Sequence, residues 1–109
     1  MQFATTARAP TVFWSRRELD QILSVYGRMV AAGEWRDYAI DGLSDRALFS
    51  IYRRASEAPL YQVEKRPALA ARQGAFAVLA GSGLILRRGR ELTAVLRVFE
   101  RRRLSTVDE

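Results

Sequence analysis

The chain has 109 residues, 49% of them hydrophobic, with 18 basic against 12 acidic side chains and a net charge of +6; this fits one domain with a full core. It contains no histidine and no cysteine, which removes the usual general base near neutral pH, the thiol nucleophile, the main soft-metal ligands and any disulfide framework. No stretch approaches the roughly 20 apolar residues of a membrane span, and the first dozen residues lack the apolar middle of a signal peptide, so a cytoplasmic location is expected.

Residues 1–11 read as a disordered segment, small, polar and punctuated by Pro10. The first firm element starts at Ser15. Ser15 and Glu18 have the spacing of a capping box, in which each side chain satisfies a free backbone N–H of the first turn, and Trp14 and Leu19 have the spacing of a hydrophobic staple. Leu19, Ile22, Leu23, Tyr26, Met29 and Val30 then form one apolar helix face, and Gly33 stands where a left-handed residue ends the helix.

Beyond Gly33 the apolar period drops to two. Tyr38 and Ile40 alternate with Asp37, Ala39 and Asp41, a turn covers Gly42 to Asp45, and Ala47, Phe49 and Ile51 alternate with Leu48, Ser50 and Tyr52. A turn-like segment, Ala55 to Pro59, leads to a third strand, Leu60 to Lys65. Pro67 to Gln73 reads as a short helix with proline in its first turn and Gly74 at its end. Ala75 to Ala80 and Leu84 to Arg88 then flank the turn Gly81–Ser82–Gly83, a second hairpin whose apolar strands predict central positions. From Arg90 the helical period returns, with Leu92, Val95, Leu96 and Phe99 on one side and Arg90, Arg97 and Arg101 on the other. The expected fold is α+β: a mostly antiparallel sheet of about five strands, with the N-terminal and C-terminal helices on one face and one short connecting helix. The domain is placed at residues 12–104, with 105–109 as a short acidic tail; two smaller sheets are the alternative arrangement.

Few residues suggest chemistry. Asp37 and Asp41 share a strand face but lie about 13 Å apart along an extended chain, too far for a glycosidase pair. Gly81–Ser82–Gly83 lacks the lysine of a P-loop and leads into a strand. Gly89 and Arg90, at the start of the last helix, are the better anion position because free helix N–H groups stand beside arginines there. A hydroxyl nucleophile would need Lys65, which is flanked by Glu64 and Arg66. No enzyme activity is expected.

The charge is uneven. Residues 1–58 carry eight arginines against seven acids, and residues 59–109 carry nine arginines and Lys65 against five acids, enough to attract phosphate or an acidic protein face. The candidate contacts are Arg53, Arg54, Lys65, Arg66, Arg87, Arg88, Arg90, Arg97 and Arg101, because guanidinium groups at strand ends and on an outward helix stripe can grip oxyanions bidentately. The partner class stays open between RNA, DNA and an acidic protein. Codon usage in a GC-rich genome also produces 17 arginines to one lysine. The alternative is an interaction or regulatory subunit, including a homodimer through a sheet edge or outer sheet face, using an apolar patch for which Phe13, Trp14, Trp35 and Leu43 are the candidates.

The runs Trp35 to Asp41, Phe49 to Arg54, Leu60 to Arg66, Gln73 to Phe76 and Leu92 to Glu100 resemble a small alphaproteobacterial family, catalogued as domain of unknown function number 2794. The similarity extends from about Val12 to Leu104. It implies a single bacterial, cytoplasmic domain and carries no activity, cofactor or catalytic residue across.

Overall fold

The computed structural model describes residues 11–54 and 58–108, with side chains described to residue 100. The segment read as disordered lies outside the described residues except for Thr11, as do Ala55 to Glu57 of the turn-like segment and Glu109 of the tail.

Helix α1 spans Arg16–Ala31 and begins as its sequence dictates. Ser15 Oγ accepts from the Glu18 N–H, and Glu18 Oε1 accepts from the Ser15 N–H at 2.7 Å, closing the capping box. At the other end Gly33 adopts φ 81°, and the Glu34 N–H reaches back to the Met29 carbonyl. Five strands follow, β1 Asp37–Gly42, β2 Ala47–Tyr52, β3 Tyr61–Lys65, β4 Phe76–Ala80 and β5 Ile85–Gly89, and helix α2 covers Leu92–Asp108. The strands form one sheet in sequence order, every neighbouring pair antiparallel.

The register assigns the faces. Ile40, Phe49, Val63 and Val78 stand in one cross-strand row, and Tyr38, Ile51, Tyr61 and Ala80 in the next, on the same side of the pleat. That side meets both helices: Tyr26 of α1 packs edge-on against Tyr38 and Phe49, and Phe99 of α2 against Tyr61 and Trp35. Phe49, Ile51, Val63 and Val78 are fully buried together with Ile22, Val95 and Phe99. Burying each of these aliphatic or aromatic side chains stabilises the fold by about 1.5–3 kcal/mol.

Four expectations need correction. The short helix over 67–73 is a 3₁₀ turn, Pro67–Leu69, followed by irregular turns. The Arg66 N–H bonds the Ala75 carbonyl, so the chain must reverse within the intervening residues, and Leu69 O takes the N–H groups of both Gln73 and Gly74. Gly74 sits at φ 105°, where a Cβ would lie 2.2 Å from the Gly89 carbonyl carbon; the backbone is folded too tightly there to continue a helix. The second hairpin is not wholly central, since β5 is an edge, because the last strand of a meander has no further neighbour. Trp14 and Trp35 are core residues, 7% and 5% exposed, and not part of a surface patch: Trp14 stacks on Phe76 of β4, and Trp35 is enclosed by Tyr26, Tyr61 and Phe99. Finally, α2 continues to Asp108, through most of the segment read as a tail. Among the described residues no helix is long and apolar enough to cross a membrane.

Candidate anion-binding residues

The sheet has two ends, and six of the nine predicted cations lie at one or the other. At one end lie the β1–β2 turn, the end of β3 and the end of β5, where Gly42, Ala47, Lys65, Phe76 and Gly89 form a cross-strand row. At the other lie the start of β1 and the exit from β2, which continues into Arg53 and Arg54. Arg66 stands at the level of Arg46, and seven residues at about 3.3 Å each separate that level from Arg53, or about 23 Å.

The first end uses its cations to hold the fold. Lys65 Nζ donates to Glu18 Oε1 at 2.8 Å and to the Phe13 carbonyl at 2.9 Å, tying the start of α1 to the sheet. Glu64, Ala77 and Arg88 form one cross-strand row on the face away from the helices. There Glu64 receives Arg88 Nη2 at 2.9 Å and Arg66 Nη2 at 3.1 Å, while Arg66 Nη1 reaches Asp45 Oδ2 at 2.9 Å. Arg88 Nη1 also donates to the Gly74 carbonyl, and Arg90 to the Ala71 carbonyl, so the reversal after β3 is laced to β5. The Glu64 side chain is only 6% exposed. Burial alone would push its carboxyl up, but the hydrogen bonds and charges of Arg66 and Arg88 outweigh that and hold it below the usual glutamate range. Arg66 is correspondingly raised by its bond to Glu64.

Of the remaining predicted residues, Arg87 is half-buried beside Val78 in mid-sheet, opposite the bulge between Val78 and Leu79. Arg97 is exposed on α2 and lines a groove of about 510 Å³ between the helices, where Arg28 pairs with Glu100 at 3.7 Å. The side chain of Arg101 lies outside the described residues.

Arg53 and Arg54 differ from the rest. They are exposed and share a depression of about 230 Å³ with Gly33, Glu34, Trp35 and Arg36. The Arg36 N–H bonds the Tyr52 carbonyl at 2.9 Å, fixing the third arginine beside the other two. Among the described residues no hydrogen bond or ion pair engages any of these three guanidinium groups. With Glu34 as the one acid lining the depression, the local balance is three cations to one anion. Reading charge along the chain missed Arg36 because it is a lone arginine flanked by Glu34 and Asp37, whereas Arg53 and Arg54 stand side by side. The hairpin register carried the signal: pairing Asp37 with Tyr52 brings residue 36 next to residue 53.

No curated protein and no solved structure matches this chain. A family model described as a protein of unknown function, DUF2794, matches residues 12–96. That span runs from the residue before the exposed Phe13 into the second helix and takes in the entire sheet, and the chain therefore belongs to the DUF2794 family.

Proposed function

We propose that this protein is a non-catalytic binding module that grips a short anionic segment of a partner protein through Arg36, Arg53 and Arg54. The supporting observation is the group of three arginines without ion-pair partners among the described residues, around one depression. Lys65, Arg66, Arg88 and Arg90 are already engaged by groups of the chain itself, so they add little to an external contact. The division of the cations between opposite sheet ends weighs against a continuous track for a nucleic-acid backbone, which typically makes 6–10 phosphate contacts. Three guanidinium groups in a small space suit a cluster of carboxylates or one phosphorylated side chain, held by bidentate, charge-assisted bonds.

The test is fluorescence anisotropy with a labelled hexapeptide of aspartate and glutamate beside a labelled 20-nucleotide RNA, at about 50 and 200 mM salt. The acidic peptide is expected to bind, with affinity falling about tenfold or more in Arg53→Glu/Arg54→Glu and less than about twofold in Arg87→Glu/Arg97→Glu. Tight RNA binding that falls steeply with salt and survives Arg53→Glu/Arg54→Glu would replace this reading with an extended nucleic-acid surface.

A further inference from the structure

Strand β1 is an open sheet edge whose two faces carry opposite chemistry. It pairs with β2 alone among the described residues, over six residues without a bulge. The Leu43 N–H bonds the Arg46 carbonyl, so in the antiparallel alternation Asp37, Ala39 and Asp41 point their backbone groups at β2, leaving those of Tyr38 and Ile40 on the free edge. On the helix side Tyr38 and Ile40 are 44% and 47% exposed, with Leu43 and Phe13 exposed at the end of the strand. On the other side Asp37 and Asp41 are exposed, and their cross-strand partners are Tyr52 and Leu48, so no cation stands directly opposite either of them.

Proteins blunt free edges with lysine, proline, bulges or a covering element. The other edge, β5, has a bulge and two arginines; among the described residues β1 has no lysine, proline, bulge or covering element, and its only charges are Asp37 and Asp41. We infer that β1 is a docking edge for an extended segment of another protein in which apolar residues alternate with lysine or arginine. Such a strand adds main-chain hydrogen bonds at Tyr38 and Ile40, lays its apolar side chains beside theirs, and sets its cations against Asp37 and Asp41. A second copy of β1 is the poorer occupant. Pairing Tyr38 with Ile40 of the second copy sets Asp37 against that copy's Asp41, and like charges directly opposite destabilise a sheet. The depression formed by Arg36, Arg53 and Arg54 is a separate site of the opposite sign.

The probe is an eight-residue peptide alternating valine and lysine, compared with its valine–glutamate counterpart, read by anisotropy and by amide shifts of Tyr38 and Ile40. The full protein carries a net +6, so a cationic peptide has no general attraction to it and must find local carboxylates. The valine–lysine peptide is expected to bind about tenfold or more tightly than the valine–glutamate peptide, and Asp37→Asn/Asp41→Asn to bring the two within about twofold. Ile40→Pro removes an edge-facing N–H without touching a bond to β2 and should abolish binding of both peptides, its folding being checked by circular dichroism. Equal binding of the two peptides, no binding of either, discrimination that persists in Asp37→Asn/Asp41→Asn, or dimerisation through this edge would overturn the inference. Binding of the acidic hexapeptide is expected to be the same in wild type and Asp37→Asn/Asp41→Asn, so failure here and failure of the arginine site are read separately.

Discussion

Glu64 is a buried carboxylate on the sheet face away from the helices, held between Arg66 and Arg88. Removing its carboxylate strands Arg88, which is itself only 13% exposed. Glu64→Ala should therefore destabilise the fold by about 3 kcal/mol, and Glu64→Gln, which keeps the volume and one acceptor, by less. The pH dependence has a definite sign. The folded carboxyl is held below its unfolded value, so the stabilisation is fully present at neutral pH and is lost as pH falls below about 4 and through the folded value. Glu18 behaves alike: burial raises it, but its bonds to Lys65 and the Ser15 N–H prevail and lower it. Urea unfolding at pH 7 and pH 3 should show a smaller loss in Glu64→Gln than in the wild type, with the remaining loss carrying the share of Glu18. In the linear sequence Glu64, Lys65, Arg66 and Arg88 look like equivalent surface charges. What separates them is alternation about the pleat and the pairing of β4 with both β3 and β5, which sends Lys65 to α1 and joins Glu64 to Arg88 across Ala77.

Individual elements were the most legible level. The capping box and Gly33 define α1 from local rules, because each acts within a few residues along the chain. The same rules misjudged the segment after Pro67. Its alanines and Leu69 favour a helix, yet the Arg66–Ala75 bond and the contact of Gly74 with Gly89 leave space only for a 3₁₀ turn. Two glycines should separate these cases in thermal melts. Gly27 lies inside α1 with nothing within 4 Å of an added Cβ, so Gly27→Ala should stabilise the protein by about 0.5–1 kcal/mol through backbone entropy and helix propensity. Gly74→Ala must insert a Cβ into the Gly89 backbone at a positive φ; it should cost more than about 3 kcal/mol or prevent folding altogether. A Gly74→Ala protein melting at the wild-type temperature would show that this contact does not organise the turn.

In the whole molecule, the meander places the arginine depression beyond the ends of β1 and β2 and the acidic edge along β1, while the opposite end is closed by ion pairs within the chain. The two proposed sites meet at Arg36 and Asp37, so whether they are coupled is measurable. Combining Arg53→Glu/Arg54→Glu with Asp37→Asn/Asp41→Asn should lower each peptide's affinity by no more than the corresponding double variant does alone, within about twofold. A larger combined loss would show that the two peptides share one surface.

By itself the sequence determined the two long helices and a mostly antiparallel sheet of about five strands. Periodicity, caps and short turns are local quantities, and short connections leave few topologies open. It also excluded histidine and thiol chemistry by composition. Tertiary structure alone decided the fate of each charge and each exposed aromatic. Burial of Trp14 and Trp35, capture of Arg66 and Arg88 by Glu64, and the joining of Arg36 to Arg53 and Arg54 all depend on neighbours far away in the chain. An ionic side chain 20 residues from its partner leaves no periodic trace, because its energy comes from the register of the strands between them.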